Sequence, residues 1–197
     1  MSDIEKQFQD IITSCEIIFL NKITDYGFSW RILRPKSLTD QIFIKANRIR
    51  TIEEKKISKI DDPIDFEYIG IINYSVMSII QLKNPDIDNK SIIETYRNIL
   101  NVSTQLMLNK NHDYDGVWKQ MRISSLTDII LQKLLRIKQI EDNDGVTKIS
   151  EGLEFNFYDI INYSIFALIK LKMSDDKNPP NPPKPTHSPS QLIKEKN

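Results

Sequence analysis

The sequence predicts an all-α protein made of two copies of one three-helix unit, packed about a pseudo-two-fold axis. Residues 20–54 align without a gap on residues 108–142, with 17 identities in 35 positions. After an insertion of one residue, the motif Ile-Ile-Asn-Tyr-Ser at 71–75 returns at 160–164. Such self-similarity at a fixed offset is typical of a tandem duplication. Apolar residues spaced three and four apart, together with only five glycines, favour helices joined by short loops.

Each copy is predicted to hold three helices in the same order. In the first copy, apolar residues at helical spacing predict a helix over 3–21, followed by a structured loop. The second helix is predicted over 37–56, with Ser37 as its N-cap and Asp40 in the position of a capping box. The third, over 64–83, is apolar on nearly every side, so we expect it to lie centrally.

The second copy repeats this plan after a short linker. Its three helices are predicted at 91–109, 125–142 and 153–173. Ser125 and Asp128 take the capping positions of its second helix. The chain is thereby divided into a first repeat, a second repeat and a proline-rich tail, at 1–86, 87–173 and 174–197. The tail lacks the apolar residues that a core requires, so we expect it to be disordered.

The composition limits the classes of partner. Lys and Arg number 27 and Asp and Glu number 27, so no net charge draws the chain to a nucleic acid polymer or an anionic membrane. A small phosphorylated ligand needs only a local cluster of cations. The single cysteine, Cys15, lies on an apolar helical stripe and is expected to be a buried, inert thiol. Without an apolar signal segment or a run of about 18 apolar residues, the chain is expected to be cytoplasmic.

Two cations lie on the apolar face of the second predicted helix in each copy. They are Lys133 and Arg136 in the second copy, and Lys45 and Arg48 in the first. Burial of a charge is costly unless the charge is paired or binds a ligand. Two interpretations are open. The cations form internal ion pairs, or they clamp a phosphate, with Lys as a point charge and Arg as a fork.

The carboxylates expected for an internal ion pair are Asp159 and Glu141. Asp159 aligns with Gly70, so the cations of the first copy are expected to lack that counter-ion. This difference favours the phosphate clamp, because cations kept only for an ion pair would have been lost together with their partner.

Each copy also keeps an acidic pair at the start of its third predicted helix. Glu151 and Glu154 in the second copy align with Asp62 and Asp65 in the first. Acids in a first helical turn complement the helix dipole. The alternative is a Mg²⁺ site, because carboxylates three residues apart share a helix face and hard cations prefer oxygen ligands. Further candidate ligands are Glu141, Asp159 and Asn162.

A polar group is also predicted where the first helix of each copy ends. In the second copy, Lys110 precedes Asp113 and Tyr114, and these side chains either fix the loop or line a pocket. Trp30 and Trp118 either stack on a base or belong to the core. The chain has no P-loop, dinucleotide-binding turn or nucleophile elbow, so catalysis through a covalent nucleophile is not supported.

A set of motifs in the second copy occurs together: Asn109-Lys110-Asn111-His112-Asp113-Tyr114, Trp118, Arg122, Ser125-Leu126-Thr127-Asp128, Lys133, Arg136 and Asp159-Ile160-Ile161-Asn162-Tyr163. With this set, the chain over 3–172 resembles the nucleotide-modification-associated domain family, a helical family that often carries two copies in one chain. That family is similar in turn to the MazG and dimeric dUTPase group. Those all-α enzymes hold Mg²⁺ on helix-borne carboxylates and hydrolyse nucleoside triphosphates.

The resemblance implies a nucleotide-binding protein and a Mg²⁺-dependent pyrophosphohydrolase of a nucleoside or pterin triphosphate. It makes Glu151, Glu154 and Asp159 the catalytic candidates, and these three with Glu141 the metal ligands. The phosphate-binding candidates are Lys110, Arg122, Lys133, Arg136, Lys45 and Arg48. The alternative is a non-catalytic nucleotide-binding or scaffold protein. We expect a monomer with an internal pseudo-dimer, or a homodimer, and the better site in the second copy, which has the fuller set of polar groups.

Overall fold

The computed structural model describes residues 2–59, 62–146 and 152–177, which form six α-helices and no strand. The helices are α1 (Asp3–Tyr26), α2 (Pro35–Lys55), α3 (Ile64–Lys83), α4 (Ile92–Asp113), α5 (Ile123–Asp142) and α6 (Leu153–Lys177). Short 3-10 turns lie at Ser29–Ile32, Asn89–Ser91 and Val117–Gln120. The predicted all-α class is therefore confirmed.

The helices form three layers, and each layer contains one helix from each of the two repeats. The pairs α2 with α3, α3 with α6, and α6 with α5 pack together, and α5 closes the ring on α2. α1 and α4 pack on the opposite side of α3 and α6. Because α3 and α6 have neighbours on both sides, they are apolar on most of their faces, and their predicted central position is correct.

Ion pairs between α2 and α5 display the pseudo-two-fold relation of the repeats. Asp40 lies 2.6 Å from the Nζ of Lys138, and Asp128 lies 3.8 Å from a guanidinium nitrogen of Arg50. Lys138 and Arg50 align with each other, as do the two aspartates. Each repeat thus supplies the acid of one ion pair and the cation of the other. These pairs also show what Asp40 and Asp128 do in place of the predicted capping boxes.

A second reciprocal set lies deeper between the same two helices. Thr39 donates a hydrogen bond of 2.7 Å to Glu141, and Thr127 donates one of 2.9 Å to Glu53. Burial raises the pKa of both glutamates, and the threonine hydroxyls partly oppose that shift. Both carboxylates therefore support the helix pair across the pseudo-two-fold axis.

The first helix of each repeat is longer than predicted. α1 continues to Tyr26 and α4 to Asp113, so residues assigned to loops by their sequence form the last helical turn. No proline or glycine interrupts either helix, and the backbone first turns left-handed at Gly27 (φ 62°) and at Asp115 (φ 48°). The longer helices carry the polar groups at their ends onto the flanks of α3 and α6.

The predicted N-caps of α2 and α5 are wrong. α2 begins at Pro35 and α5 at the equivalent position, so Ser37 and Ser125 lie within the first turn. The residue before a proline avoids the helical region, and Arg34 is accordingly extended, with ψ 155°. Proline suits the first helical position, where its missing N–H would have no partner. No side chain caps either helix.

The C-terminal boundary also differs from the prediction. α6 ends at Lys177, so residues 174–177, assigned to the tail, belong to the helix. Residues 178–197 and Glu151 lie outside the described part of the chain. Among the described helices, none combines the length and apolarity that crossing a membrane requires. Cys15 is buried as predicted, and burial raises the pKa of its thiol to about 12.

Candidate functional site

A cavity of about 320 Å³ opens in the second repeat, between the end of α4, the following 3-10 turn and α6. Its lining includes Met107, Lys110, Tyr114, Trp118, Asp159 and Asn162. The cavity exists because α4 runs on to Asp113 and the turn at Val117–Gln120 then folds back toward α6. It combines an apolar, aromatic wall with a charged edge.

The charged edge is a cluster of three side chains, here called the second-repeat triad: Lys110, Lys133 and Asp159. One carboxylate oxygen of Asp159 lies 2.6 Å from the Nζ of Lys110, and the other lies 2.7 Å from the Nζ of Lys133. The Asp159 side chain is 14% exposed and that of Lys110 is 57% exposed. The triad carries one positive charge in total, and its more accessible cation is Lys110.

The aromatic wall is held rigidly. The Trp118 ring is stacked on Phe166 at 4.3 Å between centroids, and its Nε1 donates a 3.0 Å hydrogen bond to the Oδ1 of Asn111. Trp118 is almost fully buried, so it belongs to the core, and it also lines the cavity. Tyr163 also lines the cavity, and burial raises the pKa of its phenol.

The first repeat has an equivalent cavity of about 360 Å³ beside α3. Its lining includes Lys22, Lys45, Glu67, Gly70, Asn73 and Tyr74. Four of these align with lining residues of the second cavity, at positions 110, 159, 162 and 163. The duplication therefore produced two cavities, each at the junction of the first and third helices of its own repeat.

The cations of the first repeat have a counter-ion, contrary to the prediction from the sequence. Glu67 accepts a 3.0 Å hydrogen bond from the Nζ of Lys45 and a 2.6 Å hydrogen bond from Arg48. All three side chains are at most one-quarter exposed. We call them the first-repeat triad. The argument that unpaired cations favour a phosphate clamp is therefore wrong, because a different acid supplies the pair.

The acid has moved by one turn between the repeats. Glu67 aligns with Asn156, and Gly70 aligns with Asp159, so each third helix carries one acid at one of two positions three residues apart. The site left by the acid in the first repeat is filled, since a Cβ atom at Gly70 would lie 2.7 Å from the Cε of Lys45. Both differences, Glu67 against Asn156 and Gly70 against Asp159, are visible in the alignment of the copies. Together they predict that Glu67 replaces Asp159 as the counter-ion in the first repeat.

The predicted carboxylate site is not assembled among the described residues. Glu154 lies 2.7 Å from the Nζ of Lys83, Glu141 accepts its hydrogen bond from Thr39, and Asp159 belongs to the second-repeat triad. Within 2–59, 62–146 and 152–177, no three His, Cys, Asp or Glu side chains are grouped as metal ligands. Since lysines take both oxygens of Asp159, the described donors do not fit Mg²⁺.

The phosphate-binding candidates separate into three groups. Lys110 and Lys133 meet on Asp159, and Lys45 and Arg48 meet on Glu67. The remaining candidates are Arg122 and Arg136, which are exposed and line neither cavity. From the sequence, Asn111 and Tyr163 were named only within the family motifs and were given no role of their own. For Tyr163, the Asn-Tyr pair repeated at 73–74 and 162–163 was the available signal.

The comparisons with known proteins bear on the two repeats separately. A family model described as Nucleotide modification associated domain 1 matches the chain twice, over 22–82 and 110–171. Both matches span the end of the first helix and nearly all of the second and third helices of a repeat, so each includes most of the lining of its cavity. No curated protein and no solved structure matches the chain.

Proposed function

The chain belongs to the nucleotide modification associated domain 1 family, in a two-copy form, and we propose that its second repeat binds a small phosphorylated ligand of the nucleotide class. One observation carries the proposal. The second cavity places aromatic side chains and an accessible lysine of a net-positive cluster on one wall. A nucleotide needs this combination, since its base is planar and apolar on its faces and its phosphate is anionic.

The second-repeat triad explains how an anion is accommodated beside Asp159. Lys133 is mostly buried and holds one oxygen of the carboxylate, while Lys110 holds the other from an exposed position. When the Lys110 ammonium turns toward a phosphate, Lys133 remains on Asp159, and no carboxylate is left without a cation. The ligand thus gains a charge-assisted contact without an uncompensated buried charge.

The base is assigned to the apolar part of the cavity. Met107, Trp118 and Phe166 form a wall that is held by stacking and by the bond from Trp118 to Asn111. Tyr114 also lines the cavity and is 68% exposed. A volume of about 320 Å³ is at the lower end of the usual range for small-molecule sites, and it suits a nucleoside monophosphate better than a dinucleotide.

The proposal is limited to binding. Hydrolysis by a Mg²⁺-dependent route remains a prediction from the family resemblance, and the described carboxylates offer it no group of ligands. It is tested directly by incubation of the full chain with Mg²⁺ and nucleoside or pterin triphosphates, followed by assay of pyrophosphate. Release of pyrophosphate that is lost in Asp159→Asn would extend the proposal to catalysis.

The binding experiment uses the repeat as its own control. Calorimetric titration of the full chain with nucleoside monophosphates should give saturable binding, and Lys110→Met should weaken it about tenfold, which is the effect of losing one charged hydrogen bond. Lys22→Met removes the same charge at the equivalent position of the first repeat and should leave the affinity unchanged.

Two results would contradict the proposal. If both lysine variants weaken binding equally, the effect is general electrostatic attraction and no second-repeat site is involved. If no nucleotide binds, the non-catalytic scaffold becomes the better interpretation. That alternative has its own supporting observation, since Lys45, Arg48 and Lys133 all pair with carboxylates inside the protein.

A further inference from the structure

Asn162 presents an unused hydrogen-bond donor at the second cavity. It lies on α6 three residues after Asp159, lines the cavity and is only 6% exposed. Its Oδ1 accepts a 2.7 Å hydrogen bond from the hydroxyl of Ser103 on α4. Within the described part of the chain, its Nδ2 has no acceptor. The amide is therefore fixed at its oxygen end and open at its donor end.

The equivalent asparagine of the first repeat shows that this arrangement is specific to the second. Asn73 is 5% exposed, and its Nδ2 donates to the carbonyl oxygen of Cys15 at 3.2 Å. Its Oδ1 accepts a 2.7 Å hydrogen bond from the hydroxyl of Tyr96. Asn73 thus uses both ends of its amide within the protein, as buried amides generally do.

Two sequence differences account for the change. Ser103 stands where the first repeat has Cys15, and its hydroxyl donates to the oxygen of the asparagine, so the amide is oriented the opposite way. Phe8 stands in the alignment where Tyr96 stands in the other copy, and it has no hydroxyl to offer. The donor end of Asn162 is left to the cavity as a result. A ligand acceptor in the cavity would take the place of solvent on this donor.

We infer that Asn162 is a specificity-determining residue that donates a hydrogen bond to a carbonyl oxygen of the nucleobase. This inference rests on the proposed function. Asn162 shares the cavity lining with Met107 and Phe166, and its amide N–H is neutral. It therefore suits a neutral oxygen better than a phosphate, whose charge would be desolvated against apolar side chains. The phosphate has its own partner in Lys110. Uracil offers two ring carbonyls and adenine has none, so the site should favour the carbonyl-bearing base.

The test compares UMP with AMP, which carry the same phosphate. The full chain should bind UMP about tenfold more tightly than AMP in calorimetric titration. Leucine is close in size to asparagine and cannot donate a hydrogen bond. Asn162→Leu should therefore abolish the preference, because it lowers the affinity for UMP and leaves the affinity for AMP unchanged. Asn73→Leu, the matched control, should keep the tenfold preference even where its melting temperature falls, because a structural loss does not change a ratio.

Ser103→Ala is a second variant, which should perturb the fold less than Asn162→Leu. It removes the hydroxyl that orients the Asn162 amide, and we expect the preference for UMP to fall about threefold. Equal binding of UMP and AMP by the unaltered chain would overturn the inference and leave the proposed function standing, as would a preference that survives in Asn162→Leu. Failure of both nucleotides to bind would overturn the proposed function itself.

Discussion

The two triads solve the same problem with an acid in different places. In the first repeat, Glu67 holds Lys45 and Arg48 at one level of α3, and Gly70 leaves room for the lysine chain. In the second repeat, the acid lies three residues further along α6 and holds a lysine from α4 as well as one from α5. Only the second arrangement brings the first helix of its repeat into the charged cluster.

This difference shows what one turn of a helix changes. An acid at the Glu67 position joins the second and third helices of a repeat, and it leaves the lysine at the end of the first helix outside the ion pair. An acid at the Asp159 position reaches that lysine and forms an ion pair with it at the edge of the cavity. The repeats therefore keep one fold and differ in the electrostatics of their cavities.

The largest expected effect tests whether the two acid positions are interchangeable. Glu67→Gln leaves Lys45 and Arg48 partly buried without a carboxylate, and should lower the free energy of unfolding by about 2 kcal/mol, less than for a fully buried pair. Adding Gly70→Asp should recover at least half of this loss, since Lys45 can then adopt the position of Lys133. Urea denaturation measures both changes.

The reciprocal exchange serves as its control. Asp159→Gly should be destabilising, and Asn156→Glu should rescue it by restoring the first-repeat pattern. A double variant that is less stable than its single variant, in either repeat, would show that the acid position is fixed by packing and that the two arrangements are not equivalent.

The next largest effect is a difference in stability between variants of the two threonines that lie between α2 and α5. Thr127 is hydrogen-bonded to Glu53 and also to the hydroxyl of Tyr68, at 2.8 Å, whereas Thr39 serves only Glu141 in this way. Thr127→Val leaves the buried hydroxyl of Tyr68 and the half-buried carboxylate of Glu53 without their partner, and it should cost about 2 kcal/mol, against about 1 kcal/mol for Thr39→Val.

The asymmetry arises because Phe157 stands where the first repeat has Tyr68. Tyr68→Phe should therefore remove most of the difference between the two valine variants in thermal unfolding. Equal costs for Thr127→Val and Thr39→Val in the unaltered background would contradict a role for the tyrosine hydroxyl.

A smaller difference is expected between the tryptophans. The Nε1 of Trp118 donates to Asn111, whereas the buried Nε1 of Trp30 has no acceptor among the described residues. Ile23 stands where the second repeat has Asn111. Trp118→Phe should thus cost about 1 kcal/mol more than Trp30→Phe in chemical denaturation. A larger cost for Trp30→Phe would show that packing of the ring outweighs its hydrogen bond.

The smallest difference between the repeats is expected for the equivalent glutamates, Glu53 and Glu141, and for the pH dependence that they give to stability. Burial raises the pKa of Glu53 and Glu141 above 4.5, so the folded state binds these protons more tightly than the unfolded chain. Their contribution to stability is therefore greatest at low pH and declines as pH rises from about 4.5 through the folded pKa. Glu53→Gln and Glu141→Gln should each remove one such decline, so the change in melting temperature from pH 4 to pH 7 should become more positive than in the unaltered chain.

The two glutamine variants should behave alike, because each glutamate has one threonine partner in the opposite repeat. Melting temperatures measured between pH 4 and pH 7 provide the comparison. A change from pH 4 to pH 7 that becomes more negative in either variant would mean that the pKa of that glutamate is lowered in the folded state, contrary to the effect of its burial.

Much of the fold was predictable from the sequence. Internal alignment identified the duplication, and apolar spacing placed all six helices, including the bounds of α3 at Ile64 and Lys83. The continuous apolar surface of α3 and α6 indicated their central position, since a helix buried on all sides cannot have a polar face. The helix ends were less predictable, because Asp25 and Asp113 are tolerated both in loops and in a last helical turn.

The candidate site was only partly predictable. The sequence made Lys110 and Lys133 phosphate-binding candidates, and it offered Asp159 both as a metal ligand and as an ion-pair partner of Lys133. The structure shows that ion pair and adds Lys110 to it, so the three form one triad. The sequence predicted no role for Glu67, although that residue is the counter-ion of the first-repeat cations. Spacing along one helix says which side chains share a face, but it does not say which cation of a neighbouring helix lies opposite.

The sequence by itself determined the helical class, the two repeats and the residues in which they differ. The tertiary structure alone decided how those differences combine, through the level at which α3 meets α2 and α6 meets α4 and α5. The physical reason is that an ion pair or a buried hydrogen bond depends on distances of about 3 Å between separate helices. A shift of one helical turn, about 5.4 Å along the axis, is enough to exchange one partner for another.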